Sequence, residues 1–260
     1  MYVMEMTHQL VPHLKRLRLS GVLDTLDARN RQAIDGKWTY VEFLLRLMQD
    51  EVERRDQKQL ALRIRRAAVP SVKTLEGFDF SFNPMLNRQQ VLELATCNYI
   101  RHKRNVLICG PTGVGKTHLA QALVHEACRQ ELDALFINTY RMLQHINGGR
   151  ADGTLERRVQ TYVRPDLLVL DDFGLKPLRP PAPEDLYDLI NERYERGSIV
   201  LTSNRAPEEW PDLFGNPLLA AAGLDRLLHH AEVIVITGSS FRAHGASRLS
   251  EKEVSIDQSS

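Results

Sequence analysis

Apolar residues change their period along this chain, and the change divides it. From residue 6 to 69 they recur at helical spacing, with no strand-like alternation. Leu10, Leu14 and Leu17 share one helical face, and Lys15, Arg16 and Arg18 take the other. Ser20 is placed to cap a second helix carrying Val22, Leu23 and Leu26, which Asp35-Gly36 ends. Thr39-Tyr-Val-Glu42 is a capping box, and the helix behind it puts Val41, Leu44, Leu45, Met48 and Val52 on one stripe before Pro70 stops it. From 105 to 236 the pattern differs. Short apolar runs at 105–109, 133–138, 166–171, 198–204 and 232–236 read as strands. Helical stretches at 118–128, 139–146, 154–162, from Pro183, and at 217–230 separate them. That alternation predicts an α/β fold with a parallel sheet flanked by helices, preceded by a small all-helical domain.

The expected organisation is a helical domain over 1–69, a linker over 70–83, an α/β domain over 84–248 and a polar tail over 249–260. In the linker Phe78, Phe80 and Phe82 alternate, so that one side packs on the α/β domain. Asn83-Pro84 is expected to open a helix running to about Ile100, with Asn as cap and Pro in the first turn. Residues 147–153 are expected to form a flexible loop, and 177–183 a rigid Pro-rich connector.

Composition narrows the class. Hydrophobic residues make up 43% and charged residues 26%, as in ordinary globular chains. No apolar run approaches the ~18 residues a membrane helix needs, so no membrane partner is expected. Residues 1–15 lack the features of a signal peptide, and Cys97, Cys109 and Cys128 show no Cys-x-x-Cys spacing. Both features point to a cytoplasmic protein with reduced thiols. Net charge is +1, with the excess of basic residues in the first 70. Arg54, Arg55, Lys58, Arg63, Arg65 and Arg66 form a basic run against the single acid Asp56. Two readings stay open for it: a solvated helix face, or contact with DNA phosphates. Arg150, Arg157 and Arg158 form a second cluster with the same two readings.

Two motifs carry chemistry. Gly110-Pro-Thr-Gly-Val-Gly-Lys116-Thr117 fits the phosphate-binding loop G-x-x-x-x-G-K-[ST] at every fixed position, between a strand and a helix. Gly110, Pro111, Thr112, Gly113, Val114, Gly115, Lys116, Thr117 and His118 are therefore the expected nucleotide contacts. Backbone N–H groups and the helix N-terminus face the phosphates, Lys116 reaches the β- and γ-phosphates, and Thr117 ligates Mg²⁺. The second motif, Asp166-Leu-Leu-Val-Leu-Asp171-Asp172, delivers two carboxylates at a strand tip, where ligands bind in open parallel sheets. Asp171 is placed to hold Mg²⁺ and Asp172 to act as general base on water. Thr202 to Asn204 end a strand in polar residues suited to sensing the γ-phosphate or to a plain turn. His229-His230 lacks further ligands at useful spacing and reads as structural.

In order and spacing these motifs resemble the IstB family, ATP-dependent helpers encoded beside the transposase of certain bacterial insertion sequences. The resemblance extends over the N-terminal helical module, Phe78-Asp-Phe80, Gly110–Thr117, Leu168–Gly174, Leu201–Asn204, Asp225–His230 and Gly238–Arg242. The chain is also similar to the DnaC type of replicative helicase loader, the alternative reading, and both are AAA+ P-loop ATPases. The resemblance implies ATP and Mg²⁺ as cofactors. It also implies duplex DNA, a transposase and further copies of the chain as partners, in a bacterial cytoplasm. By the same resemblance Asn204 is the first sensor, Arg226 the arginine finger acting on a neighbouring subunit, and Arg242 the second sensor. Read without the resemblance, Arg226 also suits an ion pair with Asp225 or a neighbouring acid. The second acid is Asp172 where AAA+ proteins usually carry Glu, and Phe241 stands where the family often has Tyr. Fewer than 25 residues follow the last strand, so the helical lid that many AAA+ proteins carry is expected to be absent or vestigial, as the resemblance implies.

Overall fold

A computed structural model describes residues 2–238, 240 and 241. Arg242 and the tail over 249–260 lie outside the described residues. The chain divides into two compact units, Met1–Leu62 and Arg63–Ser260.

The first unit is helical: α1 (Tyr2–Arg16), α2 (Ser20–Gly36) and α3 (Tyr40–Arg66), whose last turn belongs to the second unit. Its core is small, with Val22, Leu26 and Leu47 buried and Leu14, Leu19 and Phe43 packed on them. Two local expectations change here. Ser20 is not the cap of α2: the N-cap is Leu19, which makes no side-chain bond. The buried carboxylate of Glu51 takes that place, accepting from Gly21 N at 2.6 Å and Val22 N at 3.4 Å. On α3 the expected stripe of Val41, Leu44, Leu45, Met48 and Val52 is exposed. Leu47 and Glu51, one turn apart, face inward instead. Thr39 does cap α3, accepting from Glu42 N at 3.2 Å.

The second unit opens with α4 (Arg88–Ala95) and α5 (Asn98–Arg101). There follow β1 (Val106–Cys109), α6 (Lys116–Arg129), β2 (Ala134–Asn138), α7 (Thr139–Asp152) and α8 (Leu155–Val163). Next come β3 (Leu167–Phe173), α9 (Ala182–Arg193), β4 (Ser198–Ser203), α10 (Pro211–Phe214), α11 (Pro217–Leu228) and β5 (Glu232–Val235). The strands pair in the order β2-β3-β4-β1-β5, all parallel. β1 and β4 are buried throughout, as helices on both faces of a parallel sheet require. One apolar cluster gathers Leu168, Leu170 and Phe173 with Leu186, Leu189, Trp210 and Leu224.

Asn83-Pro84 does not open a helix. Asn87 caps α4, accepting from Gln89 N and Gln90 N, and Cys97 at φ 57 separates α4 from α5. Residues 147–152 are not a loop: α7 continues through them. The glycines there serve close packing, since a Cβ on Gly149 would come within 2.9 Å of Leu155 N at the start of α8. The connector 177–183 contains a cis Pro180-Pro181 bond.

Candidate nucleotide site

β1 lies between the central strand β4 and the edge strand β5, and runs into the glycine-rich loop. Gly110 follows it at φ 148, and a Cβ there would collide with the carbonyl oxygen of Ile236. Only glycine lets the loop leave the strand at this point. α6 then starts at Lys116, so its N-terminus faces the loop. Lys116 is buried, and its Nζ donates to the carbonyls of Gly110 (2.8 Å) and Pro111 (2.7 Å). This bond arches the lysine back over the loop that a phosphate chain would occupy.

The acidic pair meets the loop from β3. Thr117 Oγ1 donates to Asp171 Oδ1 at 3.0 Å, joining residues 54 apart in sequence. Thr202 Oγ1, on β4, donates to the same oxygen at 2.6 Å. Burial pushes the Asp171 carboxyl above its ordinary range, and Asp172 adds to the rise, against the hydrogen bonds from Thr202 and Thr117. A cation beside Asp171 would relieve both causes.

The β3–β4 register shifts between Leu170 and Phe173, and Asp172 sits at φ 57 inside that irregularity. A non-glycine residue held there stores strain of ~1–3 kcal/mol. The bulge turns Asp172 away from the ladder. Its N–H donates to Thr202 Oγ1 at 3.0 Å, and its Oδ2 accepts from Asn138 Nδ2 at 3.2 Å. A cleft of about 540 Å³ is lined by the glycine-rich loop, Asp172, Asn204, Phe78, Phe82 and Phe241.

Magnesium binds through one or two protein oxygens plus phosphate and water rather than a full protein cage. Thr117 and Asp171 suit that pattern. No group of three or more His, Cys, Asp or Glu suited to a metal exists among the described residues. The rings of His229 and His230 lie with centroids 4.0 Å apart, tilted at 51°, and His229 Nδ1 is 3.1 Å from Tyr194 OH.

The remaining expected residues fall elsewhere. Arg226 lies near Arg104 and Asn105, at the end of the sheet where the strands begin, donating to its own helix at Ala222 O (2.9 Å), with its guanidinium 5.6 Å from the Tyr187 ring. Among the described residues it forms no ion pair with Asp225. Of the basic positions, Arg54 pairs with Asp24, Arg55 with Glu51 and Arg63 with Glu131. Arg150 holds the buried Asp185 through two bonds (2.9 and 2.6 Å), and Arg158 holds Asp152. Lys58, Arg65 and Arg157 are exposed.

Two residues escaped the sequence reading. Asn138 reaches Asp172 while capping α7, and its place just before a helix was a usable signal. Asn83 Nδ2 braces the loop from behind by donating to Val114 O at 2.9 Å. Phe78 stacks edge-on against His118 at 5.2 Å, and Phe82 against Phe241 at 5.0 Å, which brings the linker aromatics to the cleft.

A parallel sheet of this strand order, with a phosphate loop after β1 and an acidic tip on β3, defines a P-loop nucleotide-binding protein of the AAA+ class. Residues 12–249 match the IstB-like ATP binding protein family, and the chain belongs to it. It is 43% identical over 230 residues to a predicted ATP-binding protein in an insertion sequence of Mycobacterium tuberculosis, covering 88% of this chain and 92% of that one. It is 37% identical over 235 residues to a predicted ATP-binding protein of insertion sequence IS21 from Pseudomonas aeruginosa, covering 90% of this chain and 89% of that one. Among solved structures it shares its fold with DnaA from Aquifex aeolicus, at TM-score 0.55 and 24% identity over 65% of this chain and 51% of that one. The DnaC helicase loader shares the fold as well, at TM-score 0.50 and 21% identity over 57% and 86%. No helix among the described residues is long and apolar enough to cross a membrane.

Proposed function

We propose that this chain is a Mg²⁺-dependent ATPase that assembles in several copies on duplex DNA and engages a transposase during insertion-sequence transposition. The helical N-terminal unit is the part that meets DNA or the transposase. The observation that carries the nucleotide chemistry is the Thr117–Asp171 bond, which seats the loop threonine on the buried carboxylate of β3.

In this reading Lys116 exchanges its two carbonyl partners for β- and γ-phosphate oxygens. Backbone N–H groups of 110–117 hold the same phosphates. Thr117 and Asp171 hold Mg²⁺, which neutralises charge on the phosphate oxygens. Asp172, anchored through its N–H by Thr202, accepts a proton from the attacking water, and Asn204 senses the γ-phosphate. Arg226 serves the nucleotide of another copy. The likeness to relatives named for insertion sequences supports the transposition context.

Phosphate release and ATP-analogue binding test it. Lys116→Ala should lose ATP binding. Asp172→Asn should keep ATP yet lose about 10²–10⁴-fold in kcat, the usual worth of a positioned base. Turnover by Asp172→Asn at the wild-type rate removes the base assignment.

A further inference from the structure

Side-chain hydroxyls hold the tip of β3 where its ladder to β4 fails. Leu170 pairs with Leu201 and Phe173 with Ser203, so Asp171 and Asp172 together face one residue, Thr202. Two residues against one is a β-bulge, and it deprives a buried main-chain donor of its usual carbonyl. Thr202 supplies the replacement. It is fully buried, its Oγ1 accepts from Asp172 N at 3.0 Å, and the same oxygen lies 2.6 Å from Asp171 Oδ1.

The direction of the Thr202 proton follows from these partners. A backbone N–H can only donate, so Oγ1 accepts from Asp172 and gives its own proton to the Asp171 carboxylate. Asp171 Oδ1 thus takes two hydrogen bonds, from Thr202 on β4 and from Thr117 on α6 at 3.0 Å. Asp171 Oδ2 has the longer contact of 3.3 Å to Thr117. Two other hydroxyls brace the bulge through main-chain carbonyls: Thr139 Oγ1 donates to Asp171 O (2.9 Å) and Ser203 Oγ to Phe173 O (3.0 Å). Among the described residues only Thr202 is bonded to both acids. The next residue ties the same strand end to the phosphate loop, since Ser203 O accepts from Gly110 N at 3.1 Å.

We infer that Thr202 is a positioning residue: its one hydroxyl orients the Asp171 carboxylate for Mg²⁺ and seats Asp172 for the attack on water, so metal loading and base placement are set together. The inference rests on the ATPase reading above. Thr202 does not line the nucleotide cleft, so it acts through the two aspartates.

Variants of the full chain test it, read by binding of a fluorescent ATP analogue with Mg²⁺ or with EDTA, and by phosphate release across a Mg²⁺ series. Thr202→Val keeps the volume and removes the hydroxyl. It should bind the analogue in EDTA as wild type does, yet need about 10–100-fold more Mg²⁺ for half-maximal turnover, the usual cost of losing a partner behind a metal ligand. Its kcat at saturating Mg²⁺ should also fall. Thr202→Ser keeps the hydroxyl and should restore both quantities to near wild type. Ser203→Ala removes the neighbouring hydroxyl and should lower Tm without moving the Mg²⁺ requirement. If Thr202→Val does not fold, Thr202→Ala takes its place in the same measurements. A wild-type Mg²⁺ requirement and kcat in the hydroxyl-free variant overturn the inference. So does equal damage in Thr202→Ser, which marks packing of the methyl group, and so does lost analogue binding in EDTA, which marks collapse of the loop. Wild-type protein whose phosphate release is absent at every Mg²⁺ concentration instead removes the reading beneath it.

Discussion

The carboxamide of Asn138 is engaged at both ends. Its Oδ1 accepts from Tyr140 N (3.1 Å) and Arg141 N (3.3 Å), closing the start of α7, and its Nδ2 donates to Asp172 Oδ2 (3.2 Å). One side chain therefore couples a helix terminus to the proposed base. The two roles separate by substitution. Asn138→Ala should lose the cap, costing ~1 kcal/mol, or about 2–4 °C in Tm for a domain of this size. Asn138→Ser keeps a capping oxygen but is too short to reach Asp172, so its Tm should stay near wild type. Both should raise basal ATP turnover with ATP affinity unchanged, because the Asp172 oxygen is released to water. Equal turnover in Asn138→Ser and wild type would show that the bond to Asp172 has no bearing on the reaction. At this scale the placement of residues in contiguous motifs was legible: Thr117 meets Asp171, and Lys116 and Asp172 line the same cleft, as patterns that need no tertiary knowledge imply. Asn83 was not legible. An Asn-Pro pair is a strong local signal for a helix start, but its carboxamide is taken by Val114 O, 31 residues away, and no local pattern encodes that bond.

At the scale of elements the N-terminal unit shows why periodicity alone misplaced a face. α3 has apolar residues on more than one side, and spacing cannot say which side meets α2. Glu51 decides it: its carboxylate sits at the N-terminus of α2, where the helix dipole and two free N–H groups favour an anion. Next to it Asp50 holds Arg29 through two bonds of 2.8 and 2.6 Å. The Arg29 guanidinium lowers the Asp50 carboxyl to about 2, against the effect of burial. Burial pushes Glu51 up, but hydrogen bonds from Arg55, Gly21 and Val22 outweigh it and leave the group below its ordinary range. A carboxyl depressed by folding adds stability that is complete above its unfolded pKa and is lost as pH falls through the folded one. The helical signal of α2 and α3 should accordingly weaken from about pH 4.5 downward, with the Asp50 share persisting until about 2. Circular dichroism during acid titration reads this directly. Glu51→Gln and Asp50→Asn should each be less stable at neutral pH and show a shallower acid transition, and an unaltered transition in both would remove the assignment. The strand pattern fared better than the helix faces, because runs buried on both sides, such as Val106–Cys109, leave no choice of face.

Over the whole molecule, the sequence places basic residues in two clusters, and the structure sorts them by what each already holds. Arg54, Arg55, Arg63, Arg150 and Arg158 are in ion pairs, whereas Lys58, Arg65 and Arg157 are exposed and form none among the described residues. Sequence charge counts both groups alike, so this distinction was out of reach without coordinates. It bears on any DNA footprint, since a guanidinium committed to a buried carboxylate must leave that partner uncompensated before it can neutralise a phosphate. Arg150 is the clearest case, because its partner Asp185 is buried. Arg150→Gln should therefore lower Tm while leaving DNA affinity and its salt dependence close to wild type. Lys58→Gln/Arg65→Gln should do the reverse, with Tm unchanged and weaker binding to duplex DNA of any sequence. The slope of log affinity against log salt should become shallower by ~0.9 for each phosphate contact removed, or ~1.8 for the pair. Fluorescence anisotropy of a labelled duplex across a salt series, at saturating ATP analogue, measures that slope. A slope unchanged in Lys58→Gln/Arg65→Gln would return the end of α3 to a solvated helix face, and a slope that falls in Arg150→Gln instead would mean that DNA opens the Asp185 pair on binding.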